Sequence, residues 1–281
     1  MNDGWSAIGV GMKAGKAAAG VTAALFVTVG AVGCTASPVA KQAADSAEVL
    51  VAALSQASDE ASKAGSANID MTVTSPDTGG KPVSMKGVYS WGNGLAMETE
   101  MPAKDLQMEE LVTDGTITMR LVDGAYYYGV DPAETGPLKG KTWLKLEASA
   151  VLGEAGAAGM SRGEADPTAG LKSLKFARGV TKVGTEDVNG KKAVHYHASV
   201  PADKLGDAAA VYNALGTGGE LVADVWVDDK GMPARMKQTF GTTTVSMDFL
   251  SFGVARAITA PAAGDTADMT EMVKKGSGGP A

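Results

Sequence analysis

The chain has little of what a disulfide scaffold or a common catalytic site needs. Its 281 residues contain one cysteine and two histidines, and aromatic residues make up only 5%. A single cysteine cannot form an internal disulfide, so packing has to stabilise the fold. The sequence has no phosphate-binding loop of the form Gly-x-x-x-x-Gly-Lys-Ser/Thr and no His-Glu-x-x-His. We expect a protein that is not an enzyme and that has no cofactor.

The charge balance excludes another class of partner. The whole chain has 25 Lys and Arg against 32 Asp and Glu. If residues 1–33 are removed, Asp3, Lys13 and Lys16 go with them, which leaves 23 basic against 31 acidic residues. A surface with that excess of negative charge repels nucleic acid and anionic membranes. We therefore expect no nucleic acid partner.

The N-terminal segment has the order of a secretion signal. Lys13 and Lys16 supply positive charge, Ala17 to Gly33 carries none, and small residues lead to Cys34. This arrangement resembles a bacterial lipobox, although Ala31 stands where leucine is usual. The resemblance implies cleavage before Cys34 and acyl chains, such as palmitate, on that residue. Residues 1–33 are then the signal peptide and 34–44 a lipidated tether, and the protein is held on the extracytoplasmic face of the cell membrane.

Alternatives to this interpretation stay open. The uncharged stretch is at the short limit for a spanning helix, and Cys34 would then be incidental. A secreted protein with a free thiol is a further alternative. Met12 offers a second possible start, since the segment that follows it has a more usual charged region.

From residue 45 the pattern predicts one helix followed by many strands. Apolar residues recur at three- and four-residue steps from Ala47 to Ala61, and Gly65 is a plausible stop. Strands with period two are then predicted at 69–74, 82–91, 95–101, 106–130 in a meander, 142–146, 178–187, 193–198, 220–228, 233–240 and 242–252. Hairpin turns are expected at Asp114-Gly115, Asp123-Gly124 and Asn189-Gly190.

Two segments interrupt the strands, and a tail follows them. Residues 147–177 predict one or two short helices, and 201–215 predict another that begins near Pro201. Residues 258–281 have few large apolar side chains and are expected to lie over the surface or to fray. We therefore predict an α+β fold, in which a curved antiparallel half-barrel of about ten strands receives helices on its concave side.

Methionine and histidine are the residue types whose positions in the sequence could indicate a function. Eight methionines fall in predicted strands: Met71, Met85, Met97, Met101, Met108, Met119, Met236 and Met247. They would suit a deformable cavity for acyl chains, or they simply fill a core. His195 and His197 share one strand face, which is a ligand-like spacing, but a zinc site needs more ligands. We expect a structural or surface role for both and no metal.

Several motifs together resemble the LppX/LprA/LprF/LprG family of actinobacterial lipoproteins. They are the lipobox at Cys34, the run Lys141-Thr142-Trp143-Leu144-Lys145-Leu146, the segment from Val183 to Gly190, and the run Ala223-Asp224-Val225-Trp226-Val227-Asp228-Asp229-Lys230-Gly231-Met232-Pro233-Ala234-Arg235. The likeness covers roughly residues 45–255, and the corresponding domain is taken as 45–257.

The resemblance implies a half-barrel similar to that of LolA-like periplasmic carriers, with an apolar cavity between sheet and helices. That cavity would take up a lipid or glycolipid for transport to the cell envelope, and a membrane transporter is a possible further partner. The implied lining residues are Met71, Val73, Met97, Met119, Leu121, Val211 and Leu215. No residue that reads a particular ligand can be transferred from the family. The alternative is a sensory or protein-interaction lipoprotein with a filled core and no ligand.

Overall fold

The computed structural model describes residues 46–76, 79–92, 94–136, 138–161, 173–205, 209 and 219–277. Cys34, the apolar segment before it and most of the predicted helix 201–215 lie outside these residues, as do Val211 and Leu215. Within the described part, no helix has both the length and the hydrophobicity that crossing a bilayer requires.

Strands account for most of the described secondary structure, as the period-two pattern predicts. They are β1 (Ser66–Thr74), β2 (Pro82–Ser90), β3 (Ala96–Pro102), β4 (Thr116–Val122), β5 (Ala125–Gly129), β6 (Trp143–Glu147), β7 (Arg178–Val188), β8 (Lys191–Val200), β9 (Leu221–Asp228), β10 (Pro233–Phe240), β11 (Thr243–Phe252) and β12 (Thr266–Asp268). The count of twelve in the described residues slightly exceeds the predicted ten.

All of these strands belong to one open sheet in the order β12-β6-β5-β4-β3-β2-β1-β11-β10-β9-β8-β7. Every neighbouring pair is antiparallel except β12 with β6, which is parallel. The sheet does not close into a barrel, because β12 and β7 remain its two edges. The α+β half-barrel expected from the sequence is therefore confirmed.

The helices pack on one face of the sheet, which we call the concave face. Helix α1 (Ala47–Ala64) buries Leu50, Leu54, Ala57 and Ala61 there, and ends at Gly65, whose φ of 70° is left-handed. Helix α2 (Ala148–Ser161) is broken at Gly153 and packs its residues Ala148 and Met160 into the same apolar cluster. A third helix in the described residues, α3 (Thr270–Ser277), lies beside α2 and β6.

Two of the three expected hairpin turns are present. Asp123 and Gly124 both have positive φ (54° and 74°), and so do Asn189 and Gly190 (53° and 77°). This is the turn geometry that matches the twist of the flanking strands. Each turn joins two strands that are neighbours in the sheet, β4 with β5 and β7 with β8.

The turn predicted at Asp114-Gly115 is wrong. Before it the chain forms short 3-10 helices, Ala103–Leu106 and Glu109–Leu111, in place of the predicted strand. The carboxylate of Asp131 accepts a hydrogen bond from the Thr113 N–H at 2.7 Å, and the Asp131 N–H donates to the Leu111 carbonyl at 2.8 Å. Met108, expected in a strand, lies in the same irregular segment.

The C-terminal segment does more than the expected tail. Ile258 and Ala260 pack over the outer face of the sheet against Val122 and Ala125. The chain then adds β12 parallel to β6 and continues into α3. Sequence periodicity does not predict this arrangement, because a three-residue strand is too short to show a period.

Candidate apolar ligand site

The concave face carries a continuous row of methionines. Met85 of β2, Met71 of β1, Met247 of β11 and Met236 of β10 lie opposite one another in register, and all are at most 9% exposed. Val225 and Tyr196 continue the row across β9 and β8. Because side chains alternate between the faces of a strand, the register alone places all six on the same side of the sheet.

The structure brings together the predicted lining residues that it describes. Met71, Met97, Met119 and Leu121 are buried in one apolar cluster on the concave face, and Val73 is half-buried against it. Met97 lies directly opposite Leu121 across β3 and β4. Val211 and Leu215 lie outside the described residues. That these side chains line a ligand cavity stays a prediction.

The row next to the methionines has shorter side chains, and we call it the shallow row. From β2 to β8 it consists of Val83, Val73, Val245, Gln238, Ala223 and Ala198. Val73 and Val245 are half-buried, whereas the other four residues are buried. The concave face is therefore most open at the β1 and β11 positions of this row.

Two hollows adjoin the concave face. One of about 680 Å³ is lined, in the described part, by Gly79, Lys81, Pro82, Val83, Lys104, Asp105 and Gln107. It meets the shallow row at Val83. Another of about 320 Å³ lies under the end of α2, where Met160 faces Leu95 and Leu121. Volumes of this order are typical of the smaller binding pockets for organic molecules.

Tyr126 and Tyr128 lie on the concave face at β5. Neither residue is among those predicted from the sequence for this face. They lie opposite Leu121 and Met119 on β5, with ring centroids 6.5 Å apart and nearly parallel. Burial raises the pKa of both phenols, yet both side chains keep part of their surface accessible. The sequence contains a signal for this placement, because residues 126 and 128 of a strand lie on one face and Tyr127 lies on the other.

His195 and His197 share the outer face, as their spacing predicts. Both contact the same Asp224 oxygen, at 3.0 Å from His195 Nε2 and 2.9 Å from His197 Nδ1. His195 also lies 2.8 Å from Glu186 and stacks on Trp226 with centroids 4.1 Å apart. In the described part of the chain, no cluster of three or more His, Cys, Asp or Glu could hold a metal ion.

The hydrogen bonds of this histidine network lower the pKa of the two carboxylates in it, Glu186 and Asp224. The Trp226 indole donates a hydrogen bond to Glu186, and together with His195 it lowers the pKa of Glu186. For Asp224, burial acts to raise the pKa, but the bonds to His197 and His195 outweigh it and the net shift is downward. Carboxylates only accept hydrogen bonds, so His195 can donate to both of them only when its ring carries two protons.

One catalytic pattern does occur in the chain. Gly159, Ser161 and Gly163 have the Gly-x-Ser-x-Gly spacing of a nucleophile elbow. In an elbow the serine sits on a sharp turn between a strand and a helix. Ser161 instead ends helix α2. The pattern therefore lacks the structural context of a nucleophile.

The molecule has the open half-barrel fold of known actinobacterial lipoproteins. The Mycobacterium tuberculosis lipoprotein LppX superposes with a TM-score of 0.51 at 15% identity, over 76% of this chain and 100% of LppX. LprF of Mycobacterium bovis gives 0.50 at 14% identity, over 78% and 99%. The resemblance predicted from the sequence is confirmed at the level of the fold.

Curated sequences add two relatives, whereas no family model matches the chain. An uncharacterized 31.2 kDa protein from the rplA-rplJ intergenic region of Streptomyces griseus is 28% identical over 255 residues, which are 82% of each chain. A Streptomyces coelicolor protein, named as a candidate lipoprotein, is 26% identical over 75% of this chain and 72% of its own.

Proposed function

We propose that this chain is a lipid-anchored, extracytoplasmic protein that binds a lipid between its sheet and its helices and carries it within the cell envelope. The observation that supports it most is the shallow, uncharged row on the concave face, next to a hollow of about 680 Å³. The fold shared with LppX and the naming of one relative as a candidate lipoprotein support the same proposal.

The chemistry of the concave face favours an apolar ligand. The buried polar residues of the described chain are Ser58, Ser66, Thr99, Ser173, Gln238, Thr243 and Thr270, and none of them is charged. Each methylene taken out of water gains about 0.8 kcal/mol, so one long acyl chain would supply ample driving force. A charged headgroup would have to remain at the rim, since a buried charge without a partner is costly.

The rim of the larger hollow could accept such a headgroup. Lys81, Lys104, Asp105 and Gln107 surround it in the described part of the chain, while Val83 leads inward. Methionine side chains rearrange at low cost, so the adjacent row would accommodate acyl chains of different length. Cys34 would supply the membrane attachment, because cleavage and acylation there give the two or more chains that stable anchoring needs.

Native mass spectrometry of the protein, purified without detergent from an actinobacterial host, tests the proposal. We expect a co-purifying lipid, or uptake of a fluorescent fatty acid when the lipid has been removed. A protein that is repeatedly empty and takes up no fatty acid would contradict it. That outcome would favour the filled-core interaction lipoprotein.

A pair of variants makes this test specific to the concave face. Val73→Trp fills the shallow row and should reduce lipid uptake. Thr72→Trp adds the same ring on the opposite face of β1, where Thr72 is near Ser84, and should leave uptake unchanged. Circular dichroism checks that both variants fold. Equal uptake by the two variants would place the ligand elsewhere.

A further inference from the structure

His195 connects three neighbouring strands on the outer face of the sheet. It lies on β8, and its two ring nitrogens contact carboxylates on both sides. Nδ1 is 2.8 Å from Oε1 of Glu186 on β7, and Nε2 is 3.0 Å from Oδ1 of Asp224 on β9. The Trp226 indole, on which the imidazole stacks, donates to the other Glu186 oxygen at 2.9 Å. The His195 side chain therefore links β7 to β9 across β8.

Strand β7 is weakly held by its backbone. It is an edge of the sheet, so it pairs only with β8, and its register with β8 shifts twice between Arg178 and Gly184. On the concave face, Val180 of β7 and Leu174, from the 3-10 helix just before it, are buried in the apolar cluster. Helix α1 contacts both of these elements. Opening of β7 would therefore loosen one side of the packing on the concave face.

Both contacts of His195 can be hydrogen bonds only when the imidazole carries two protons. Carboxylates accept hydrogen bonds, and a neutral imidazole has a single N–H. A neutral His195 therefore donates to one carboxylate and presents a lone pair to the other. His197 differs, because in the described part of the chain it forms one such bond, from Nδ1 to Asp224 at 2.9 Å, and one ring proton is enough for it.

The two carboxylates stay ionised over the pH range in which histidine titrates. The Trp226 indole and His195 lower the pKa of Glu186. Burial acts to raise the pKa of Asp224, but the bonds from the two histidines outweigh it. Carboxyl groups ordinarily lose their proton near pH 4, so the histidine rings are the groups of this network that change charge between about pH 5 and 8.

The neighbouring charges on the outer face are constant over the same range. On β10, the Arg235 guanidinium lies 5.7 Å from the centre of the Trp226 ring and pairs with Asp248 of β11. Lys237, also on β10, lies opposite Asp224 in the register. Arginine and lysine keep their charge up to about pH 10. A change in this network between about pH 5 and 8 is therefore a change at histidine.

We infer that His195 is a proton-dependent latch for the edge strand: with two ring protons it links β7 to β9, and loss of one proton breaks one of the two hydrogen bonds. The latch is closed at acidic pH and opens as the pH rises through the histidine range. Because β7 contacts helix α1 on the other face, the proton on His195 controls how firmly one side of the concave face is held. The inference does not depend on the identity of any ligand.

Amide hydrogen exchange of the full chain tests the latch, because it measures how often β7 opens. The amides of residues 184–188, where β7 pairs regularly with β8, are compared at about pH 5.5 and about pH 8, on either side of the usual histidine range, after correction for intrinsic exchange. We expect their protection to be about fivefold lower at the higher pH, the value of one ordinary hydrogen bond. Strand β2, in the other half of the sheet, should be equally protected at both.

Three variants distinguish a latch from an ordinary ion pair. In Glu186→Gln, the amide oxygen can accept from Trp226 while the amide N–H donates to a neutral His195, so β7 should stay protected at both pH values. His195→Gln should remove the dependence on pH. His197→Gln, the matched control, should keep it, because His197 does not contact Glu186. Circular dichroism checks the fold of each variant.

Several outcomes would overturn the latch. They are equal protection of β7 at both pH values in the natural protein, a dependence on pH that survives His195→Gln, and an equal loss of protection in β2, which would mean that pH acts on the whole fold. If His195→Gln does not fold, Glu186→Gln decides alone. A Glu186→Gln protein whose β7 still loses protection at the higher pH would contradict the requirement for a second ring proton.

Discussion

Met71 of β1 lies directly opposite Met247 of β11, and this pair joins the two halves of the sheet. Strands β2 to β6 and then β12 lie on the β1 side of this pair, and β10 to β7 lie on the β11 side. The two strands are far apart in sequence but make the central antiparallel contact of the molecule. The apolar cluster under that contact includes residues of helix α1, so the fold depends on β1 meeting β11.

Truncation of Met247 should therefore destabilise the whole domain. Met247 is 4% exposed, and removal of a buried side chain of this size typically costs about 2–5 kcal/mol, because a cavity is left behind. We expect that loss for Met247→Ala in urea unfolding. Met272→Ala is the control, since Met272 is 56% exposed and should change stability by less than about 0.5 kcal/mol. Similar values for both variants would mean that the central pair is not packed as described.

Gly87 should tolerate no side chain. A Cβ atom at this position of β2 would lie 2.0 Å from the backbone oxygen of Glu98 and 2.7 Å from the Cα of Thr99. Neither backbone atom can move without displacing β3, so Gly87→Ala should cost about 3 kcal/mol or more.

Gly184 gives a matched control for this substitution. It is also a strand glycine, but a Cβ there would have no atom within 4 Å. Gly184→Ala should therefore leave the urea midpoint nearly unchanged. A Gly87→Ala variant that unfolds at the natural midpoint would contradict the close approach of β2 to β3.

Because of the ion pair between Arg235 and Asp248, the free energy of unfolding should decrease as the pH becomes acidic. Nε and Nη2 of Arg235 donate to the two carboxylate oxygens of Asp248, with 2.7 Å between Nη2 and Oδ2, and the Asn189 amide donates a further hydrogen bond to Oδ2. Burial acts to raise the pKa of Asp248, but these bonds outweigh it and the net shift is downward.

The sign of the effect follows from that shift. A carboxylate whose pKa is lower in the folded state contributes stability above its unfolded pKa of about 3.9, and this contribution is lost as pH falls through the lower folded value. Asp248→Asn should be about 1–2 kcal/mol less stable at pH 7, and its stability should fall less on acidification below pH 4. Urea unfolding between pH 7 and pH 2.5 measures both.

The exposed Asp229 provides the comparison for the acid series. It belongs to the turn between β9 and β10, so Asp229→Asn should follow the natural protein at every pH. If Asp248→Asn also follows the natural protein, the ion pair contributes nothing measurable, as many partly exposed pairs do.

Cys34 should decide membrane attachment. Cys34→Ser removes the thiol that would be acylated, and we expect the protein to leave the membrane fraction of the host or to accumulate unprocessed. Thr35→Ser, one residue later, should remain attached and processed. Mass spectrometry of the N-terminal peptide would identify the acyl chains. Normal attachment of a Cys34→Ser protein with no processing defect would instead favour the spanning helix.

The local structure followed from the sequence to a large extent. The turns at Asp123-Gly124 and Asn189-Gly190 were predicted because two adjacent residues with positive φ have a distinctive chemistry, and both turns are present. The stripe of α1 and its end at Gly65 were predicted from spacing. Alternation also placed Met71, Met97, Met119 and Leu121 on one face, because a strand has a period of two.

The sequence by itself therefore determined turns, periods and faces, since each depends on neighbouring residues. Only the tertiary structure decided which strands meet: β1 with β11, and β12 parallel to β6. Strands pair through backbone N–H and C=O groups, which nearly every residue has. The alternation of apolar and polar residues in a strand therefore does not specify which distant strand becomes its neighbour. The burial of Gln238 and the half-buried positions of Val73 and Val245 emerged for the same reason, because burial is a property of the assembled sheet and helices.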